Sequence, residues 1–241
     1  MNVLFHANAS ESIGAGHLMR SLALAQGLAE KGHGLTLMTC PESGDNLIAP
    51  WRALGAGVFV ESPQMSTAEP AARCLARAEK ADADWVVLDG YGFDSDYQNA
   101  VKEAGYRLLV IDDTAHLPGY HAAILLNQNW NAPHLDYQCD PETAMLLGSR
   151  YVLLRREFLR WKGWSREIPP VARRLLVTLG GGGHGPVIAA VLDALRDLDM
   201  PDLEVKVIHA GPFPGDDAVR RRNSPAGVRL EILRQGEDMA A

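Results

Sequence analysis

The stretch Ile13-Gly14-Ala15-Gly16-His17-Leu18-Met19-Arg20 lies between a short apolar run, Val3 to Phe5, and a helical pattern, and its reading decides the fold. A strand that ends in a glycine-rich turn and opens a helix brings backbone N–H groups and the positive helix end to one point. Such a point suits an anion, a diphosphate above all. His17 follows the glycines at the mouth of the turn, where an imidazole reaches the bond beside a bound phosphate. Arg20 stands one turn further along. The plainer alternative is a packing turn whose histidine caps the helix.

Outward from this turn, apolar runs of β type alternate with helical stretches, the pattern of a parallel sheet covered by helices. Leu18, Leu22, Ala25 and Ala29 recur at helical spacing and Gly32 closes the pattern, which predicts a first crossover helix over 16–31. After the first strand, further strands are predicted at 35–38, 58–60, 85–88, 106–111 and 122–126, and helices at 67–80 and 94–104. Several of these strands finish in polar residues: Asp89-Gly90-Tyr91-Gly92, Asp112-Asp113 and Asn127-Gln128-Asn129. In open α/β sheets the carboxyl edge is where ligands bind.

The composition changes between Tyr151 and Arg173. Arg155 to Trp161 reads as a connecting helix, followed by a polar stretch and Pro169-Pro170. The expected organisation is a first Rossmann-like domain over 1–155, a connector over 156–172, and a second α/β pattern over 173–241. The second pattern has strands at 175–179, 205–208 and 228–233, a helix over 186–198 and the turn Gly180-Gly181-Gly182-Gly183. So few elements make a poor closed α/β domain, and the expectation is a second domain that is incomplete.

At 241 residues, with 47% apolar and 22% charged content, the chain is long enough to bury a core and ordinary for a globular protein. A net charge of −7 argues against a nucleic-acid surface, which needs clustered Lys and Arg. The short cluster Arg220-Arg221-Arg222 reads as a solvated loop. Cys40, Cys74 and Cys139 show neither metal-ligand spacing nor an even framework, which suits a reducing cytoplasm. No basic segment with a long apolar run precedes the first strand, and no apolar run has the length of a membrane span. The expectation is a cytoplasmic protein with neither membrane nor nucleic-acid partner; nothing in the pattern bears on oligomeric state. No His/Cys/carboxylate group has metal spacing and no Gly-x-Ser-x-Gly elbow occurs, so a mechanism without metal or cofactor is expected.

Among the eight histidines, His17 meets the positional requirement of a base near a scissile bond. His6, at the end of the first strand, either lines the same cleft or is structural. His33 reads as surface, and His184 as a phosphate contact or a loop residue. Asp89, Asp112 and Asp113 stand at strand ends, where a carboxylate orients an imidazole or a sugar hydroxyl, or caps a turn. Tyr91, held between glycines, is presented to an open cleft. Asn127 and Asn129 either bond a sugar or cap a loop, and Arg20 either offsets phosphate charge or pairs with an acid.

Taken together, Gly14-x-Gly16-His17-x-x-Arg20, Asp89-x-Tyr91-Gly92, Asp112-Asp113, Leu125-Leu126-Asn127-x-Asn129, Leu154-Arg155-Arg156-Glu157-Phe158 and Gly180-Gly181 form an ordered set across nearly the whole chain. In this the sequence resembles the UDP-2,4-diacetamido-2,4,6-trideoxy-β-L-altropyranose hydrolases, nucleotide-sugar hydrolases of pseudaminic acid biosynthesis. The resemblance implies a glycosyltransferase-B-like pair of Rossmann-type domains with the site in the cleft between them. It implies that His17 is the general base for water attacking the anomeric carbon, releasing UDP with inversion. It further implies that Gly14, Gly16 and Arg20 offset diphosphate charge and that Tyr91 and Asn129 hold the sugar. Asp89, Asp113, Asn127, Gly180 and Gly181 complete the implied substrate-binding set. One base suffices, because UDP leaves already ionised and needs no protonating carboxylate.

Two departures from the family accompany the resemblance. Relatives usually carry an acidic residue shortly after the second glycine pair, where this chain has Gly182-Gly183-His184. Relatives also continue past the segment 237–241 into a Ser- and Gly-rich region that contributes to the uridine and diphosphate site, so weak activity is expected at this length. Two other readings share the same residues. A sugar-nucleotide glycosyltransferase of this architecture would need an acceptor, and a non-catalytic sugar-nucleotide-binding module would turn over nothing.

Overall fold

Successive residues of the first strand, β1 (Asn2–Ala7), enter different cores: Val3 and Phe5 pack on one side of the sheet, Leu4 on the other. A strand buried on both faces needs no polar alternation, which explains the continuous apolar runs in the sequence. The structure is a computed structural model that describes residues 1–10, 12–61, 70–179, 185–196, 200, 202–209 and 229–234. The chain divides into two compact units, Met1–Ala9 with His17–Arg156, and Ser10–Gly16 with Glu157–Ala241.

In the first unit, β1 is joined by β2 (Gly34–Thr39), β3 (Gly57–Val60), β4 (Trp85–Asp89), β5 (Arg107–Ile111), β6 (Ile124–Asn127) and β7 (Ala144–Leu147) in a seven-stranded sheet. The order is β3-β2-β1-β4-β5-β6-β7 and every pairing is parallel. The chain builds outward from β1 to β3, then returns to the other side of β1 with β4. The crevice between the carboxyl ends of β1 and β4 is therefore the topological switch point, the usual ligand position in such sheets.

Two helical layers cover the sheet. On one face α1 (Gly16–Ala29) places Leu18, Leu22 and Ala25, spaced at helical intervals, against Phe5, Leu37, Val87 and Ile111. The same face receives α2 (Gly44–Ala53), whose fully buried Trp51 meets the Phe5 ring edge-on at 5.1 Å. On the opposite face α3 (Pro70–Lys80) supplies Cys74 and Ala78, and α4 (Ser95–Glu103) supplies Tyr97 and Val101, against Leu4, Val86, Leu88 and Val110. Asp94 starts α4 by accepting a hydrogen bond from the Tyr97 amide at 2.8 Å, which satisfies one of the unpaired N–H groups of the first turn. Each fully buried Leu or Phe contributes about 1.5–3 kcal/mol of transfer free energy.

In the second unit β8 (Arg174–Thr178), β9 (Glu204–His209) and β10 (Arg229–Arg234) form a parallel sheet in the order β10-β9-β8. Helix α6 (Gly185–Arg196) sets Ile188, Leu192 and Leu195 on Val177, Val205, Val207 and Ile232. The connecting helix expected over Arg155–Trp161 is shorter, a single turn, α5 (Arg156–Leu159). The sequence reading contained neither α2 nor β7. The turn residues Gly180 to His184, the start of the predicted 67–80 helix, Arg220 to Arg222 and 235–241 lie outside the described residues. Among the described residues, no helix is long and apolar enough to cross a membrane.

Candidate functional site

The polar ends of β4, β5 and β6 and the first turn of α1 come together at the carboxyl edge of the large sheet. Asp89, the last residue of β4, is fully buried. A buried carboxylate is tolerated only when its oxygens are filled by donors, and four groups fill them. His17 Nδ1 lies 2.7 Å from Oδ1, Arg20 Nη2 donates to Oδ1 at 2.6 Å, Arg20 Nε reaches both oxygens, and Ser21 Oγ donates to Oδ2 at 2.9 Å. His17, Arg20 and Ser21 sit within one turn and a half of α1, so the helix grips the end of β4 through a single carboxylate.

Two groups meet the ring of His17 at Nδ1, the Asp89 carboxylate and the Arg20 guanidinium. Nδ1 is 3.0 Å from Arg20 Nη2. The carboxylate is the nearer neighbour, at 2.7 Å, and Nη2 already donates to Asp89 at 2.6 Å, so the tautomer that serves the shorter contact carries its proton on Nδ1 and donates it to Asp89. In the neutral ring of that tautomer Nε2 carries no proton, and among the described residues no hydrogen bond engages it. His17 is buried, and its ring stands edge-on to Tyr91 with centroids 5.0 Å apart.

Arg20 pairs with acids, one of the two readings its position allowed. Nη1 donates to both oxygens of Asp113, at 2.6 and 2.7 Å, while Nε and Nη2 serve Asp89. Every nitrogen of the guanidinium thus faces a carboxylate. Burial lowers its pKa, but the hydrogen bonds and charge of Asp89, then those of Asp113, outweigh burial and hold it above the ordinary arginine value. Conversely, burial raises Asp113, and the hydrogen bond and charge of Arg20, with the amide of Asn129 at 3.0 Å, bring it below the usual carboxylate range. Arg20 is a clamp joining the ends of β4 and β5.

The remaining expected residues divide between surface and interior. Tyr91 is 53% exposed, and its hydroxyl lies 3.4 Å from Asp113 Oδ2. Gly90 makes this presentation possible: its φ is +153°, and an added Cβ would meet the Phe93 ring at 3.2 Å. Asn129 is half-buried and bonded to Asp113. Asn127 is fully buried, its amide donating to Tyr137 Oη at 2.8 Å and its Oδ1 accepting from the Asn129 N–H, so it shapes the loop. Asp89, likewise buried, holds His17. Gly14 adopts φ +79° and closes a turn onto the Ser10 carbonyl at 2.7 Å, and Gly16 is exposed at the start of α1. His6 is structural, buried against Phe93 and bonded to Tyr97 Oη at 2.8 Å.

The sequence reading missed the density of bonding around Asp112. Oδ1 accepts from the Thr114 and Ala115 amides and from Tyr137 Oη, and Oδ2 accepts from Tyr120 Oη and pairs with His116 Nδ1. The adjacent acids Asp112 and Asp113 thus face different partners, one a turn and two tyrosines, the other an arginine. The available signal was the pair of strand-end acids. Tyr120 and Tyr137 arrive from loops that carry no local pattern. Among the described residues, no group of three or more His, Cys, Asp or Glu side chains is placed to hold a metal ion.

No family model matches the chain. It is 28% identical over 173 residues to the UDP-2,4-diacetamido-2,4,6-trideoxy-β-L-altropyranose hydrolase of Campylobacter jejuni, covering 69% of this chain and 57% of that protein. It is 23% identical over 249 aligned positions to the uncharacterized protein MJ1062 of Methanocaldococcus jannaschii, covering 100% of this chain and 49% of that one. The chain therefore spans about half the length of the curated relatives it matches. Among solved structures, it is similar to MurG of Acinetobacter baumannii, with a TM-score of 0.59 at 14% identity over 99% of this chain and 69% of that one. It is also similar to Anabaena Alr3699/HepE in complex with UDP and glucose, with a TM-score of 0.57 at 13% identity over 100% of this chain and 71% of that one. The fold is that of the glycosyltransferase-B enzymes.

Proposed function

We propose that this chain hydrolyses a UDP-linked 2,4-diacetamido-2,4,6-trideoxy sugar at its anomeric carbon, releasing UDP, as a step of pseudaminic acid biosynthesis. The observation that carries the reading is the 2.7 Å contact of His17 Nδ1 with buried Asp89, which supports a proton on Nδ1 and leaves Nε2 facing away from it. In the reaction Nε2 accepts a proton from water as the water oxygen bonds to the anomeric carbon. The bond from that carbon to the diphosphate oxygen breaks, its electron pair leaves with UDP, and the configuration inverts. Asp89 stabilises the imidazolium that forms, and Arg20 holds Asp89 in place. The similarity to the Campylobacter hydrolase supports the choice of substrate.

In this reading residues 1–155 carry the base, 156–172 connect, and 173–241, with Gly180 and Gly181, belong to the nucleotide side. Gly14 and Gly16 face the diphosphate, and Tyr91, Asn129 and Asp113 face the sugar. The three free cysteines suit a reducing cytoplasm. The test is to incubate the chain, and a version extended past Ala241, with a panel of UDP-sugars and to follow UDP release with and without chelator. Release from the diacetamido sugar in water alone, undiminished by chelator, supports the reading. Release only when a sugar acceptor is added would instead make the chain a glycosyltransferase, the activity of many proteins with this fold.

A further inference from the structure

The carboxyl edge of the large sheet holds a second histidine arranged like His17. His116 Nδ1 lies 3.0 Å from Oδ2 of Asp112, itself buried and held by four other donors. The same argument applies as for His17: a nitrogen this close to a carboxylate oxygen carries the proton, which leaves Nε2 as an acceptor, and among the described residues nothing bonds to it. The backbone is bent to keep the ring there. Ala115 adopts φ +52°, a left-handed conformation disfavoured for a non-glycine residue, while its amide bonds Asp112 at 2.7 Å. Tyr91 joins the two dyads, its ring edge-on both to His17 at 5.0 Å and to His116 at 5.6 Å.

The charges around Tyr91 say what can approach. Asp89, Asp112 and Asp113 are three carboxylates against one guanidinium, that of Arg20, whose nitrogens Asp89 and Asp113 already occupy. A diphosphate brought against this face would meet net negative charge, whereas a neutral group rich in O–H and N–H donors would meet acceptors at His116 Nε2 and Asp113.

We propose that His116 is a substrate-binding residue whose Nε2 accepts a hydrogen bond from the sugar of a nucleotide sugar, an acetamido N–H being the best fit, on the wall that His17 and Tyr91 share. This rests on the reading of the chain as a nucleotide-sugar enzyme, but not on hydrolysis. The test is calorimetric titration of the wild-type chain, H116A and H116Q with two probes, UDP and UDP-N-acetylglucosamine. Loss of one neutral hydrogen bond corresponds to roughly three- to tenfold weaker binding. The expected result is that H116A weakens UDP-N-acetylglucosamine by that factor, leaves UDP unchanged, and is partly rescued by H116Q, whose Oε1 reaches the position of Nε2. A merely structural His116 would weaken both probes alike. Equal losses, or no loss, overturn the inference, as does failure of the wild-type chain to bind either probe. Failure of the hydrolase reading is recognised separately, as sugar binding without UDP release in water.

Discussion

Replacing Asp89 by Asn removes the charge that fixes His17 while nearly conserving volume. In the native site Asp89 accepts from His17 Nδ1, from Arg20 through Nε and Nη2, and from Ser21. An asparagine amide can offer its NH2 to Nδ1, and the imidazole then carries its proton on Nε2, where it no longer takes one from water. The expected fall in kcat is on the order of 10³ to 10⁴, the usual consequence of holding such an imidazole in the wrong tautomer. Stability falls as well. Breaking a buried charge pair costs about 3–5 kcal/mol, and the surviving bidentate contact to Asp113 brings this to about 2–4 kcal/mol. For a unit of this size that is a drop of roughly 5–15 °C in melting temperature. The assay is UDP release at a temperature well below the lowered midpoint, together with circular-dichroism melting and nitrogen NMR of the imidazole. A D89N chain that melts lower but keeps near-wild-type kcat would refute the reasoning, since Asp89 would then only hold the helix to the sheet.

His17→Ala should lower kcat by about 10² to 10⁴ with little change in substrate affinity, measured by steady-state kinetics beside titration with UDP-sugar; unchanged turnover would remove the base assignment. Burial, then the charge of Arg73, pushes His6 down from 6.5 to about 4. Between those values the unfolded chain binds the extra proton, so stability is intact above pH 6.5 and lost as pH falls through 4, by on the order of 3 kcal/mol. His6→Phe should flatten the decline of melting temperature between pH 7 and 4.5, and parallel declines in the two proteins would contradict this. Burial pushes the Cys74 thiol up to about 11, so at pH 8 iodoacetamide should leave it unmodified in the native chain and label it after denaturation. Peptide mass spectrometry showing native labelling at Cys74 would place that helix outside the core.

The parallel α/β character of the chain and the position of its first crossover were legible because strands buried on both faces leave uninterrupted apolar runs. Helix α2 was not, because Pro50 lies within it and proline ordinarily ends a helical pattern; burial of Ile48 and Trp51 overrides that local signal. Strand β7 escaped notice for the opposite reason, since Ala144 and Met145 are exposed and no burial pattern marks this sheet edge. At the site, the residues were legible but their roles were not. Arg20 and Asn127 sit where a ligand-binding residue is expected, yet each is consumed by partners, Asp113 and Tyr137, supplied by other loops. A motif names the atoms at a sheet edge; which of them remain free depends on side chains arriving from elsewhere in the chain.

The central claim is that water, activated by His17, attacks the anomeric carbon. Hydrolysis of the UDP-linked diacetamido sugar in ¹⁸O-labelled water, with both products read by mass spectrometry, tests it most directly. The expected result is one labelled oxygen at the anomeric position of the sugar and none in UDP, with the labelled product suppressed in His17→Ala. Label on the β-phosphate of UDP would mean attack at phosphorus and would contradict the account.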